Sequence, residues 1–210
     1  MPTCAICGQR EGTTRDHVPP KAIFPKPRPN NLVTVPACPE CNNGASDSDD
    51  LFKVYLSMQA AGNNEIARRL FQEKTVRTLQ RNQSLLAAIQ QEATGVEVLN
   101  NQGQLETRTG VLWNSVAHDA VIERTIRGLY YYHSETPVPH DAKLSVQWLH
   151  GVPEEILPNI HLFHEVVLGN NQVIYKYIIH ENDPRYSLWL FDFYGAHWAS
   201  GHTSPTLPQQ

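Results

Sequence analysis

Residues 13–24 read TTRDHVPPKAIF and lie between two Cys-x-x-Cys motifs, CAIC at 4–7 and CPEC at 38–41. The chain has four cysteines, and all of them belong to these two motifs. In a cytosolic protein, paired motifs of this kind are typical of a metal site rather than of disulfides. One structural zinc ion is therefore predicted, held by the thiolates of Cys4, Cys7, Cys38 and Cys41.

The insert between the two motifs predicts a hairpin. TTRDHVPP favours a strand that ends at the two prolines, and NLVTVPAC at 31–38 favours a returning strand. KPRPN at 26–30 predicts a proline-rich loop between them. A helix with Ser46 or Asp47 as its N-cap is expected next, because acidic residues suit a helix start. Residues 1–60 are thus predicted to form one small zinc-held ββα module.

The remainder of the chain, residues 61–210, predicts an α+β accessory domain. Helical patterns cover 63–94, with a break near Asn82, and 115–134. A hairpin with its turn at 100–103 is expected between them, and strand candidates follow at 143–149, 160–168, 171–180 and 186–195. Helices followed by strands indicate an α+β fold with a mainly antiparallel sheet. TSPTLPQQ at 203–210 predicts a fraying tail.

Charge is distributed unevenly along the chain. The formal net charge is −4, which argues against a generally basic nucleic-acid binder. Residues 1–45 carry five Lys or Arg and three acids, whereas residues 101–210 carry six Lys or Arg and eleven acids. A phosphate-binding face is therefore expected in the first 45 residues, with three candidate contacts at Lys21, Lys26 and Arg28. Plain solvated charges are an equally good interpretation of these three side chains.

The zinc frame with its Asp-His pair resembles the HNH endonucleases, also called His-Me finger or ββα-metal nucleases. Asp16–His17 ends the first strand, Asn31 opens the second, and Asn42 follows the second cysteine pair in CPECNN. The resemblance covers about residues 4–50. It implies hydrolysis of phosphodiester bonds in DNA, leaving a 5′-phosphate and a 3′-hydroxyl.

The same resemblance implies a role for each motif residue. His17 would be the general base, Asp16 and Asn42 would hold one Mg²⁺ or Mn²⁺ ion, and Asn31 would fix the loop that orients His17. Two positions differ from the usual family pattern. Asn42 stands where the family commonly has histidine, which makes this an H-N-N variant with Asn43 as a rival ligand. Ala45 stands where a lysine is usual.

The other nine histidines are interpreted as structural or surface residues, with His197 and His202 in a terminal loop. The aromatic stretches GLYYYH at 128–133 and WLFDFYGAHW at 189–198 have the composition of base-stacking surfaces, but their spacing favours the core. The sequence also contains no run of eighteen apolar residues and no signal-peptide pattern, so a cytoplasmic protein is expected.

The function predicted from the sequence is thus a metal-dependent HNH-type endonuclease acting on DNA, with RNA as the other substrate class. The alternative is a non-catalytic Cys4 zinc module that binds nucleic acid or a protein partner. In either case the C-terminal domain would serve specificity, a homodimer contact or binding of a protein partner.

Overall fold

The computed structural model describes residues 1–100 and 102–206. Strands β1 (Thr14–His17) and β2 (Thr34–Ala37) form an antiparallel hairpin in which Asp16 pairs with Val35 and His17 with Thr34. The short helix α1 (Pro39–Asn43) follows directly, and helix α2 (Ser46–Ala60) continues from it. The ββα order predicted from the sequence is confirmed, although α2 has no side-chain cap at either Ser46 or Asp47.

A helical arm follows α2. It consists of α3 (Glu65–Leu70), a wide π turn (Phe71–Thr75), α4 (Val76–Arg81) and α5 (Gln83–Glu92). The break predicted near Asn82 is confirmed, because the Asn82 side chain accepts a hydrogen bond from the Leu85 backbone N–H and starts α5 there. Lys53 fixes the arm to α2, since its buried ammonium group donates to Thr78 and Asp50.

The predicted hairpin is present as strands β3 (Thr94–Leu99) and β4 (Leu105–Gly110), which form a separate two-stranded sheet. Its turn includes Asn101, which lies outside the described residues. Helix α6 (Ser115–Ser134) then returns to the centre of the molecule with the bounds expected from the sequence. It contacts α2, β2 and two strands of the C-terminal sheet.

The C-terminal sheet has five antiparallel strands in the order β5-β9-β8-β7-β6. Their bounds are β5 Ala142–Leu149, β6 His164–Leu168, β7 Val173–Ile179, β8 Ser187–Phe193 and β9 His197–Pro205. Strand β6 is shorter than predicted, because residues 157–162 form a 3₁₀ helix. The mainly antiparallel α+β fold is confirmed.

The prediction that His197 and His202 lie in a terminal loop is wrong. Both belong to β9, which pairs with β5 on one side and β8 on the other. His197 is fully buried, whereas His202 is exposed. The expected tail likewise begins later, since Thr203–Pro205 belong to this strand and residues 207–210 lie outside the described chain.

One hydrophobic core joins the predicted module to the rest of the chain. Val18, Phe24 and Phe52 belong to the same buried cluster as Ile126 of α6 and Trp189 of the C-terminal sheet. The boundary at residue 60 therefore crosses this core, and its functional meaning stays a prediction.

Candidate metal centre and active site

The four cysteine sulfur atoms come together as the sequence predicts. The Sγ atoms of Cys4, Cys7, Cys38 and Cys41 all lie within 4.8 Å of one another. Tetrahedral zinc with Zn–S bonds of about 2.3 Å needs sulfurs roughly 3.8 Å apart, so the four-sulfur cluster suits a metal ion such as zinc. The two pairs come from separate elements, a turn closed by the Gly8 N–H on the Cys4 carbonyl and the start of α1.

Positive charge and backbone donors support thiolate ligands in this cluster. The Arg10 side chain donates from Nε to Cys38 Sγ at 3.2 Å and from Nη2 to Cys41 Sγ at 3.6 Å. Burial opposes ionisation of Cys7, but the Arg10 and Gln9 backbone N–H groups and two neighbouring thiols lower its pKa to about 6. Burial and the hydrogen bond with Cys38 instead raise the pKa of Cys41 to about 12. A bound dication would hold all four sulfurs as thiolates, because a coordinating thiol is deprotonated.

Strand β1 directs Asp16 and His17 to opposite sides, because side chains alternate along a strand. Asp16 points inward and is 7% exposed, whereas His17 is half-buried. Close packing of Val18, the residue after His17, fixes these side-chain directions. Gly128 of α6 lies against Val18, and a Cβ atom at Gly128 would stand 2.5 Å from Val18 Cγ1. A glycine is required there for α6 to approach the end of β1.

Arg124, one turn before Gly128, reaches the carboxylates of two acidic residues. Its Nη1 lies 3.7 Å from Asp16 Oδ2, and its Nη2 donates a short hydrogen bond to Asp49 Oδ1. Asp16 Oδ2 is buried and has no hydrogen-bond partner among the described residues. This oxygen faces the Arg124 guanidinium but accepts no hydrogen bond from the described residues, so it can still accept a donor or a second cation.

Burial dominates the titration of both carboxyl groups. Burial raises the pKa of Asp16, with Arg124 acting in the opposite direction. Burial also raises the pKa of Asp49 to about 6; Arg124 opposes this, and the nearby Asp16 adds to it. The direct pairing with Arg124 nevertheless holds charge on at least one carboxylate, because a buried guanidinium needs a counter-ion.

The surroundings of His17 favour the neutral form of its imidazole ring. Burial lowers its pKa, and Lys21 and Arg28 add to the effect while Asp16 opposes it. No side chain or backbone group in the described residues hydrogen-bonds to its ring. A neutral imidazole with an unused nitrogen can accept a proton, which is what a general base must do.

The two asparagines of the resemblance occupy different places. The Asn42 side chain donates to Thr14 Oγ1 at 3.1 Å and to the Arg15 carbonyl at 3.3 Å, so it ties α1 to β1 rather than contacting Asp16. Asn31 donates to the Val167 carbonyl at 2.9 Å and accepts from the Gly169 N–H at 3.1 Å. It therefore links the hairpin loop to the turn between β6 and β7, and Asn43 is exposed.

Two residues of this site, Asp49 and Arg124, are not among the candidates predicted from the sequence. Asp49 is one of several neighbouring acidic residues that suit a helix start, so the sequence does not distinguish it from them. A signal exists for Arg124, because it lies three residues from Val121 and four from Gly128 on the buried face of α6. A charged side chain on such a face indicates a buried ionic partner.

Lys21, Lys26 and Arg28 are all exposed on the segment that follows β1. None of them lies within 4.0 Å of a carboxylate of the described chain. Both Lys21 and Arg28 are close enough to His17 to lower its pKa, so they place positive charge beside the candidate base.

No family model, curated protein or solved structure matches this chain. Within residues 1–100 and 102–206, no helix combines the length and the apolar character that crossing a membrane requires.

Proposed function

We propose that this chain is a metal-dependent endonuclease of the HNH type that hydrolyses phosphodiester bonds in DNA. The observation that carries the proposal is the Asp16–His17 pair at the end of β1, in a hairpin flanked by a four-cysteine cluster that can hold a metal ion. The buried Asp16 Oδ2, which lacks a hydrogen-bond partner among the described residues, and the neutral His17 ring are the two chemical groups that such a reaction needs.

His17 would take a proton from the water that attacks phosphorus, as a general base does near its own pKa. Lys21 and Arg28 would attract the substrate phosphate and keep the His17 ring neutral before the water arrives. Mg²⁺ or Mn²⁺ bound at Asp16 would neutralise charge on the phosphate and the leaving 3′ oxygen.

Two side chains, one amide and one carboxylate, are candidates to complete that divalent site. Asn42 is the ligand that the family resemblance implies, but its amide nitrogen already donates hydrogen bonds to Thr14 Oγ1 and to the Arg15 carbonyl. Asp49 is the other candidate, because it shares Arg124 with Asp16. Asp16 and Asp49 would hold the ion, and Arg124 is the positive group that already faces both carboxylates.

The ion pair between Arg124 and Asp16 favours a second function. With Arg124 paired to Asp16 and the Asn42 side chain hydrogen-bonded to β1, the chain would act as a non-catalytic Cys4 zinc module that binds nucleic acid or a protein partner. The cysteine cluster needs reduced thiols in both cases, which fits a reducing compartment such as the cytoplasm. Dimerisation or partner binding through the C-terminal sheet is compatible with either function.

A nicking assay separates the two functions. Wild-type protein is expected to nick supercoiled plasmid with Mg²⁺ or Mn²⁺. The His17→Ala variant should cut roughly 10²–10⁴-fold more slowly, because that is the usual contribution of a general base. Its zinc content should be unchanged. His161→Ala, at an exposed histidine of the 3₁₀ helix, is the matched control and should keep full activity. Full activity in His17→Ala would remove the mechanism. Binding of DNA without nicking by the wild type would favour the zinc module instead.

A further inference from the structure

Positive charges without an acidic partner are concentrated in two segments of the chain. Nine of the 17 Lys and Arg side chains lie within 4.0 Å of a carboxylate in the described residues, and eight do not. Of these eight, only Lys143 lies outside two short segments. The others are Arg15, Lys21, Lys26 and Arg28 near the hairpin, and Lys74, Arg77 and Arg81 on the helical arm.

The two segments are adjacent in space although they are distant in sequence. Lys74 donates from Nζ to the Phe24 carbonyl at 2.7 Å, which places the end of the π turn against the loop that carries Lys26 and Arg28. Arg77 and Arg81 follow on α4, four residues apart and both exposed, so they lie on one helix face about 6 Å from each other. The contact of Lys74 with Phe24 thus brings the cations of the hairpin loop and those of α4 into one region of the molecule.

A groove runs along the α4 part of this region. It has a volume of about 820 Å³ and is lined by Lys53, Lys74, Arg77 and Arg81, together with Asp50 and Glu73. The two acids are already engaged, since Asp50 pairs with Lys53 and Glu73 lies 3.9 Å from Arg69. The free charge in the groove is therefore positive.

Crowding of like charges is evident at Lys74. Burial lowers the pKa of Lys74 to about 8, and Arg28, Lys53 and Lys26 contribute further lowering in that order. Cations held this close repel one another, and a bound anion relieves that repulsion. Arg28 also lowers the pKa of His17, so the positive charge of Arg28 acts on both Lys74 and the candidate base.

We propose that the α4 groove, continued by Lys26 and Arg28, binds the phosphate backbone of the duplex DNA that passes His17. This inference rests on the proposed function, since it extends the same substrate along the protein. Duplex DNA carries one phosphate per about 3.4 Å of axis on each strand, and Arg77 and Arg81 lie about 6 Å apart on α4, so both can contact phosphates within one short stretch of the backbone. The protein would bind the backbone alone here, independently of base sequence.

The test compares two double variants with the same change in charge. Arg77→Gln/Arg81→Gln removes the two exposed groove arginines. Arg108→Gln/Arg185→Gln removes two solvent-accessible arginines that already pair with acids elsewhere on the molecule. Affinity for a 25-base-pair duplex of arbitrary sequence is measured against salt concentration, with circular dichroism as the check on folding.

The groove variant is expected to bind every duplex more weakly. Its slope of log K against log salt should be smaller by about 0.9 for each phosphate that is no longer neutralised, which makes up to roughly two units. The control variant should keep the wild-type slope.

Any one of three outcomes would overturn the inference. These are equal slopes in all three proteins, no DNA binding by the wild type, and preference of the wild type for an RNA duplex of the same sequence. Nicking is measured separately from binding. A wild type that fails to cut but shows the groove-dependent slope therefore removes the proposed activity and leaves the groove in place.

Discussion

Arg124 is the central residue of the candidate site, because it carries the positive charge for the buried carboxylate of Asp16 and the partly buried carboxylate of Asp49. Its side chain is 7% exposed, and those of Asp16 and Asp49 are 9% and 20% exposed. A buried ion pair adds little net stability compared with apolar residues, but removal of one partner leaves unpaired charge in a medium of low dielectric. The arrangement is therefore sensitive to a change at Arg124.

Arg124→Met is expected to lower the free energy of unfolding by about 3–5 kcal/mol, the usual cost of leaving a buried charge without its partner. Arg127→Met on the same helix is the matched control. Arg127 pairs with the half-exposed Glu123, and a surface pair of this kind is worth about 1 kcal/mol or less. Urea unfolding measures both. Addition of Asp49→Asn to Arg124→Met should restore part of the stability, and equal stability of the two single variants would contradict the role given to Arg124.

A buried histidine pair makes stability depend on pH. His197 Nε2 lies 3.1 Å from His118 Nε2, and the His197 ring stacks on Trp113 with centroids 4.4 Å apart. Burial and then His118 lower the pKa of His197 to about 3, and burial lowers the pKa of His118 against the pull of Asp119. The folded protein thus binds fewer protons than the unfolded chain, whose histidines titrate near about pH 6.5.

The contribution of the two histidines to the free energy of unfolding is therefore expected to be fully present above about pH 6.5. It should fall as pH decreases toward about 3, by up to roughly 1.4 kcal/mol per pH unit for each histidine. His197→Gln cannot be protonated, so its deficit relative to the wild type should narrow as pH falls. His202→Gln, on the exposed side of the same strand, should differ from the wild type by a constant amount. Protonation of the cysteine thiolates affects all three proteins alike and cancels in these differences. A constant deficit in His197→Gln would show that the pair does not carry the pH dependence.

At the scale of elements, the four-cysteine cluster joins the N-terminal turn to the start of α1. The two cysteine pairs belong to different parts of the hairpin module. Without a metal ion, the N-terminal turn, the β1–β2 strand pair and the shared core are what hold the two pairs together. Binding energy at a structural zinc site becomes folding energy, because the unfolded chain has no preformed site.

One zinc ion per chain is expected by elemental analysis of purified protein. Cys38→Ser should lose the zinc and destabilise at least the hairpin, since three ligands cannot close the tetrahedral shell. Ser46→Ala is a suitable control, because Ser46 starts α2 without a side-chain capping bond and is not one of the ligands. Folded wild-type protein that contains no metal and has four freely reactive thiols would contradict this prediction.

Elements with a strong local pattern could be predicted from the sequence, and β9 could not. Helix α6 carries apolar residues at helical spacing, and β7 and β8 are rich in aromatic and β-branched residues. Strand β9 reads HWASGHTSP, which contains small and polar residues that resemble a loop. Tertiary packing explains its glycine, since a Cβ atom at Gly201 would overlap Ile126 Cδ1 of α6.

The same contrast applies to the candidate site. The cysteine spacing was sufficient to predict that the four cysteines meet, because all of them lie in two short motifs. Arg124 is separated from Asp16 by more than a hundred residues, and only the packing of α6 against β1 brings them together. Arg77 and Arg81 are not apparent as phosphate-binding candidates either, since charge averaged over long windows hides the three cations that residues 74–81 carry without an acid.

For the whole molecule, the shared core has a direct consequence for isolated fragments. Phe52 of α2 is fully buried and packs edge-on against Trp113 and Phe193, both beyond residue 60. Val18 is covered by Gly128 of α6. A fragment of residues 1–60 would expose these side chains, and exposed apolar surface costs about 25 cal/mol per Å².

A fragment of residues 1–60 is therefore expected to bind zinc through its cysteines but to lack a stable tertiary structure. Amide dispersion in NMR spectra of the zinc-loaded fragment measures this, with the full chain as control. Broad dispersion and a cooperative thermal transition in the fragment would contradict the prediction and establish the first sixty residues as an independent domain.

The position of β9 within the C-terminal sheet constrains the order in which a newly made chain can complete its fold. Translation proceeds from the N-terminus, so β5 emerges early and has to wait for residues 197–205 before it gains its single partner among the described strands. Until then both β5 and β8 present an open edge, and open edges invite pairing with strands of other chains. Premature termination of translation before residue 197 would therefore leave a product prone to aggregation rather than a smaller version of the same protein.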